Sequence, residues 1–265
     1  MYYRTIRNDI LKSKAISLTT ILFVAAAAML LSLAAILVVN LTGAIDTLMT
    51  QAKTPHFMQM HAGDIDTPAL AAFADQQENV AAFQVVEFLN MEGAQIVFEQ
   101  SSLANSVQDN GFTTQNATFD HLLDLDGNVI QVAAGEVYVP LCYMRDGSTQ
   151  VGEQMLVAGQ EFVVAGFLRD SQMNSLLSSS KRFLVSQDDF SVMKASGTME
   201  YLIEFRLNDL SNLAAFETAY TNAGLDANGP TLTYPFYKLI NAVSDGMMVG
   251  VILLVSVLVI AIAFL

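Results

Sequence analysis

The chain has a single cysteine, no tryptophan, three histidines and few basic residues. One cysteine excludes a disulfide within the chain, so any folded domain must be held by its hydrophobic core, which about 200 residues can supply. Lys and Arg number 12 against 26 Asp and Glu, a formal net charge of −14. Because nucleic-acid binders present a basic patch or stripe, this acidic balance argues against a nucleic-acid partner.

Charged residues are missing above all from the two ends of the chain. Residues 16–42 and 246–265 contain none. As helices they would reach roughly 40 Å and 30 Å, against a hydrocarbon core of about 30 Å. A signal peptide has a shorter apolar core, of about 7–15 residues, followed by a small-residue cleavage site. The first segment is longer and lacks such a site, so we predict two transmembrane helices, the first uncleaved.

Basic residues before the first apolar segment predict the orientation of the chain. Cytoplasmic flanks of membrane helices are enriched in Lys and Arg, so residues 1–15 are expected in the cytoplasm and 43–245 outside it. Residues 1–15 suit either an amphipathic helix on the membrane surface or a simple charged flank. The residues that carry the orientation are Arg4, Arg7, Lys12 and Lys14.

Hydrophobic patterning between the two apolar segments predicts an α+β domain with two lobes. A β-α-β unit is expected within 56–91, and strands and helices recur within 182–234. These two ends would form a split ferredoxin-like lobe. The region between them, about 94–180, reads as a β-rich insertion.

Four local signals make the prediction more specific. Thr67, before Pro68, is expected to cap a helix, and Ser186 to cap another. Gly224 is placed to end a helix. Residues 136–144 read as one strand, which would bury Cys142 as a small apolar side chain.

Catalytic and metal-binding motifs are absent from the sequence. It has no G-x-x-x-x-G-K-[ST] loop for ATP and no G-x-S-x-G nucleophile. His56 and His61 would point to opposite faces of a strand, and Ser171 is interpreted as a loop residue. The acidic run before Gly127 fails the calcium-loop pattern, because a leucine occupies its first ligand position. We therefore predict no catalytic, cofactor-binding or metal-binding residue, and no enzyme activity.

Four passages resemble one membrane protein family. They are AKTPHFMQMHAGDID (52–66), GEVYVPLCY (135–143), VGEQMLVAGQEFVVAGFLRDSQMNS (151–175) and SSSKRFLVSQDDF (178–190). With the layout of span, external domain and span, they resemble the FtsX-like permeases of MacB-type ABC transporters, over essentially the whole chain. Such permeases continue into further spans. Because no basic flank follows the second apolar segment, we expect this chain to be the N-terminal part of a longer protein.

The resemblance implies a permease subunit in the bacterial plasma membrane with a MacB-like external core domain. A separate cytoplasmic ATPase would hydrolyse ATP, and a second permease would complete a homodimer or heterodimer. The substrates implied are peptides, antimicrobials or lipoproteins. Neither apolar segment contains an ionisable residue of the kind that marks a polar path through a membrane. The hypothesis is therefore mechanical: the stalk after the first span and residues 235–246 would transmit helix tilt to the external domain.

Two alternatives remain open at this point. A two-span sensor also places a folded domain between two membrane helices, and a signalling domain would then follow residue 265. An FtsX-type regulator of cell-wall hydrolases has a related layout with a generally smaller external domain. The residues that follow the second span, and the proteins that bind the chain, distinguish these functions.

Overall fold

The structure, a computed structural model, describes residues 14–175 and 177–263. The described residues divide into two units: Ile45–Asn241, called here the external domain, and the helical segments before Ala44 and after Ala242. Three of the residues that predict orientation, Arg4, Arg7 and Lys12, lie outside the described residues, as does the predicted amphipathic stretch up to residue 13. Lys14 is the first residue of the first helix.

Helices and strands alternate through most of the external domain. In chain order the elements are α1 (Lys14–Gln51), β1 (Phe57–Ala62), α2 (Thr67–Gln76), β2 (Val80–Met91), β3 (Ile96–Phe98), β4 (Asp109–Thr113), β5 (Glu136–Pro140), α3 (Leu141–Arg145), β6 (Gln154–Val157), β7 (Gln160–Leu168), β8 (Ser180–Val185), α4 (Gln187–Met193), β9 (Thr198–Leu207), α5 (Leu213–Ala223), β10 (Thr231–Thr233) and α6 (Tyr234–Ala263).

Two of these helices, α1 and α6, are long and apolar enough to cross a membrane. The qualifying stretches are Leu18–Gln51, with a mean hydropathy of 2.8, and Tyr234–Val257, with 1.9. They confirm the prediction of an apolar helix at each end of the domain. Both helices also reach further towards the domain than the predicted spans, since α1 continues to Gln51 and α6 starts at Tyr234.

One half of the sheet has the ferredoxin-like order that the sequence predicts. Its strands lie in the order β10-β1-β9-β2, and each is antiparallel to its neighbour. Helices α2 and α5 connect β1 to β2 and β9 to β10, and both cover the same face. Phe73 and Phe216 pack there on Phe57 and Phe205, with ring centroids 5.0–6.1 Å apart. The α+β fold class is confirmed.

The predicted insertion continues the same sheet, so the two lobes share one sheet of ten strands within the described residues. Strand β4 pairs antiparallel with β2 and parallel with β8, and the order continues β8-β5-β7-β6-β3. The pairing of β2 with β4 requires a glycine, because a Cβ on Gly111 would lie 2.0 Å from the ring of Phe88. A separate hydrophobic cluster, with Phe112, Phe162 and Phe183 at its centre, fills this half.

Three local predictions were wrong. The helix cap before α2 is Asp66, whose carboxylate accepts the amide of Ala69, and Thr67 is the first helical residue. The predicted strand 136–144 ends at Pro140, which has no backbone N–H to continue the strand pairing and instead caps the short helix Leu141–Arg145. The strand at 182–185 was assigned to the ferredoxin-like half. As β8 it lies between β4 and β5, because α4 behind it packs into the core of the other half.

Two cap predictions are confirmed. The Ser186 hydroxyl accepts the amide of Asp189 at the start of α4. Gly224 ends α5 in the left-handed conformation, with φ of 64°.

Candidate functional site

A polar cluster is buried on the sheet face opposite α2 and α5. Phe205 and Val85 contact those helices, so their neighbours Glu204 on β9 and Gln84 on β2 point to the other face. Arg182 on β8 reaches the same side of the sheet. Arg182 is 1% exposed and Glu204 is fully buried. Charged side chains are almost never buried without hydrogen-bond or ion-pair partners. The candidate site therefore consists of these two residues and their partners.

Arg182 joins two loops that are far apart in sequence. Its Nε and Nη2 donate to the two carboxylate oxygens of Asp170, both at 2.7 Å. Its Nη2 also donates to Asp120 Oδ1 at 3.0 Å, and Nη1 donates to the other oxygen of that carboxylate. Such two-pronged charged hydrogen bonds are among the strongest in proteins. One guanidinium thus holds residues 116–123, called here loop A, and residues 170–175, called loop B.

Loop A is attached to the end of α1. The amide of His121 donates to the carbonyl of Ala52 at 2.7 Å, and the amide of Asp120 donates to the carbonyl of Lys53 at 3.1 Å. Leu123 packs against Leu48 and Ala52. Lys53 and Asp120 have φ of 49° and 55°, a left-handed conformation that is uncommon outside glycine. Their contacts on both sides hold this unusual backbone in place.

Loop B is attached to the start of α6. The hydroxyl of Tyr237 donates to Gln172 Oε1 at 2.6 Å, and Asn241 Nδ2 donates to the carbonyl of Ser171 at 3.2 Å. From the sheet side, the ammonium group of Lys181 donates to the carbonyls of Met173 and Ser175. Loop B therefore lies between a membrane-candidate helix and the sheet, with hydrogen bonds to both.

Gln172 connects the whole cluster. Its Nε2 donates to Asp120 Oδ1 and to Glu204 Oε1, both at 2.7 Å, while its Oε1 accepts from Tyr237. The ends of α1 and α6 consequently meet in one buried hydrogen-bond network, called here the junction. An exposed ion pair between Asp46 and Lys238 adds little, because solvent screens it.

The charges of the junction follow from burial and from its ion pairs. Burial opposes the charge of Arg182, but Asp120 and Asp170 outweigh burial, and the pKa of Arg182 rises well above its ordinary value. Burial alone would raise the pKa of Asp170, yet Arg182 and two loop amides lower it. For Glu204, burial and the nearby Asp120 raise the pKa well above its ordinary value.

The residues singled out in the sequence do not come together. His56 accepts the amide of Leu207, and burial together with Arg206 lowers the pKa of His56 to about 4. His61 Nε2 bonds to the carbonyl of Asp64. Within residues 14–175 and 177–263, no group of three or more His, Cys, Asp or Glu could hold a metal ion.

Three further residues considered in the sequence, Asp124, Cys142 and Ser171, lie in a turn, a short helix and loop B. Asp124 accepts the amides of Asp126 and Asn128 and so closes a tight turn. Cys142 is buried, as predicted, although on α3 and not on a strand. The buried hydroxyl of Ser171 has no hydrogen-bond partner in the part of the chain that the structure describes.

The junction was not predicted, although the sequence contains a signal for two of its residues. Arg182 precedes Phe-Leu-Val in β8, and Glu204 lies within the apolar strand YLIEFRL. A charged residue inside a buried apolar strand requires a buried partner. The partners themselves lie in loops, and no periodicity marks them.

No protein-family model matches the chain, and no curated protein matches it. Solved structures similar to it include the periplasmic region of MacB from Actinobacillus actinomycetemcomitans. That match has 10% identity and a TM-score of 0.41, and covers 72% of this chain and 94% of the other. A second is the extracellular domain of the noncanonic ABC-type transporter YknZ from Gram-positive bacteria. There the identity is 12% and the TM-score 0.35, with 67% and 98% covered.

With TM-scores below 0.5, neither match by itself establishes a shared fold or a shared function.

Proposed function

We propose that this chain is part of the permease subunit of a MacB-type ABC transporter in a bacterial plasma membrane. In this proposal the protein does mechanical work: movement of its membrane helices is transmitted to the external domain. The observation that carries the proposal is the junction, where the ends of α1 and α6 are joined to the same buried arginine through loops A and B.

The junction is suited to transmit force because opening it is costly. Separating loop A or loop B from Arg182 would leave a carboxylate buried without its cation, a loss of about 3–5 kcal/mol. Breaking one neutral buried hydrogen bond, such as that of Tyr237, costs roughly 1–3 kcal/mol. A displaced helix end therefore moves its loop, and the loop moves β8, before the contacts between them break.

Membrane orientation and energy supply complete the proposal. The basic residues Arg4, Arg7, Lys12 and Lys14 place the N-terminus in the cytoplasm and the external domain outside. The resemblance implies that a partner ATPase hydrolyses ATP, and the lack of a phosphate-binding loop in the sequence is consistent with this. Neither predicted span carries an ionisable side chain, which favours mechanical work over a polar path between the helices. Export or handling of peptides, antimicrobials or lipoproteins follows from the resemblance, as does pairing with a second permease.

Purification of the natural full-length protein from its own membranes tests the proposal. We expect an ATPase with a G-x-x-x-x-G-K-[ST] motif to copurify, and ATP hydrolysis by the complex to stop when the lysine of that motif is replaced. Replacing the same lysine should leave copurification intact, which serves as the control. Recovery of a signalling kinase would instead support the two-span sensor. Recovery of a cell-wall hydrolase with the ATPase would support an FtsX-type regulator.

A further inference from the structure

Glu204 differs from the other carboxylates of the junction because no cation contacts it. Its Oε1 accepts from Gln172 at 2.7 Å and its Oε2 from Gln84 at 2.8 Å. The side chain is fully buried. Within the described residues, the ion pairs of the junction involve only Arg182 with Asp120 and Asp170.

A charge count shows what this arrangement requires. Among the described residues, the Arg182 guanidinium hydrogen-bonds only to Asp120 and Asp170, so its charge is already shared by two carboxylates. The other buried cation, Lys181, donates to the carbonyls of Met173 and Ser175 and not to Glu204. An ionised Glu204 would add a third negative charge at a fully buried position. Burying an unpaired carboxylate is so unfavourable that such groups take up a proton instead. Burial and the neighbouring charges therefore favour a neutral Glu204, whose hydroxyl donates to the carboxamide oxygen of Gln84 once that amide group is turned over.

We propose that Glu204 is a proton-binding site, and that the proton it holds keeps α6 attached to the external domain. Gln172 provides the link, since its one amide nitrogen serves both Glu204 and Asp120 while its oxygen holds Tyr237. When Glu204 loses its proton, the like charges of Glu204 and Asp120 flank that amide group and repel each other across it. Gln172 then shifts, and Tyr237 loses its acceptor.

The charged and titratable groups around Glu204 agree with this assignment. Four of these groups belong to the junction: Asp120 of loop A, Asp170 of loop B, Arg182 of β8 and Tyr237 of α6. On its own strand, Arg206 points to the same face but donates to the carbonyl of Thr54. Met58 faces Glu204 from β1. Burial and Asp120 raise the pKa of Glu204, and Arg182 only partly offsets them.

The sign of the pH effect follows from the raised pKa of Glu204. The folded protein holds a proton that the unfolded chain releases above about pH 4.5. The stability that this proton contributes is complete below that pH and is lost as pH rises towards the pKa of the folded state. Attachment of α6 to the external domain should accordingly weaken with rising pH. The equilibrium constant for detachment of α6 should rise by up to about tenfold per pH unit.

Hydrogen exchange of the full chain in lipid nanodiscs tests the proposal. In the wild type we expect protection of residues 237–241, corrected for intrinsic exchange, to fall as the pH is raised above the ordinary titration range of a glutamate, because burial raises the pKa of Glu204. In Glu204→Gln, whose carboxamide presents one acceptor and one donor as the neutral acid does but cannot ionise, protection should be independent of pH. Glu87→Gln, a half-exposed glutamate paired with Lys194, is the matched control and should titrate like the wild type.

Two outcomes would overturn the proposal. One is a wild-type profile without pH dependence, which decides the question even if Glu204→Gln does not fold. The other is an infrared spectrum at neutral pH in which the protonated-carboxyl band of the wild type is still present in Glu204→Gln. The link to transport rests on the proposed function, but neither measurement requires transport. A failure here therefore leaves the transporter proposal standing, and a failure to find an ATPase leaves the proton site standing.

Discussion

Replacing Arg182 by methionine is expected to destabilise the external domain by about 3–5 kcal/mol, a large share of the roughly 5–15 kcal/mol that stabilises a typical domain. Methionine fills much of the space of the arginine but leaves Asp120 and Asp170 buried without a cation. Chemical denaturation of the purified chain in detergent, followed by circular dichroism, measures the loss. The deficit should shrink as the solution is acidified, because without Arg182 burial raises the pKa of Asp170 and the buried carboxylate takes up a proton.

The neighbouring residue provides a matched control. Lys181→Met also removes a buried cation from β8, but the partners of Lys181 are the carbonyls of Met173 and Ser175 and not carboxylates. Its cost should be about 1–3 kcal/mol. A neutral triple variant, with Arg182→Met, Asp120→Asn and Asp170→Asn, should recover much of the lost stability. If Arg182→Met costs no more than Lys181→Met, the ion pairs do not hold the junction together.

Separating α6 from loop B is expected to uncouple ATP hydrolysis from transport. The double variant Tyr237→Phe and Asn241→Leu removes the two side-chain donors from α6 to loop B and keeps the size of both side chains. Two lost hydrogen bonds weaken the attachment by roughly 1–3 kcal/mol, or about 5-fold to 150-fold in the equilibrium between attached and detached α6, and we expect transport per ATP hydrolysed to fall accordingly. Both rates are to be measured in the same proteoliposomes with the partner ATPase.

Tyr143 offers a closely matched control for this uncoupling. Its hydroxyl also donates to a carboxamide oxygen, that of Asn110, at 2.9 Å in the buried interior. Tyr143→Phe therefore makes the same chemical change on α3, a helix that does not belong to the junction. It should cost a similar amount of stability, about 1 kcal/mol, without changing transport per ATP. Equal transport losses in the two variants would mean that transport follows stability alone and not the attachment of α6.

Local and repetitive features could be predicted from the sequence. Uncharged segments of 20 or more residues predict helices of membrane length, and a serine shortly before two aspartates predicts the cap of α4. The ferredoxin-like order was also predictable, because its strands and helices alternate in the characteristic sequence at both ends of the domain. All of these signals lie within a few residues of the structure they produce.

The junction could not be predicted in the same way, because its members come together only through the tertiary fold. Arg182 lies 62 residues from Asp120, and Gln172 lies 65 residues from Tyr237. The continuous sheet was missed for a related reason. It depends on the absence of a side chain at Gly111, opposite the ring of Phe88, and nothing in the local sequence links these two positions.

The proposed permease function depends most directly on the external domain lying outside the cytoplasm. Cys142 is a poor reporter, since it is only 8% exposed, so it should be replaced by alanine and a cysteine introduced at Val107, which is 99% exposed. We predict that a membrane-impermeant maleimide added to intact cells labels Val107→Cys in this background. Labelling that occurs only after the cells are permeabilised would place the domain in the cytoplasm and contradict the account.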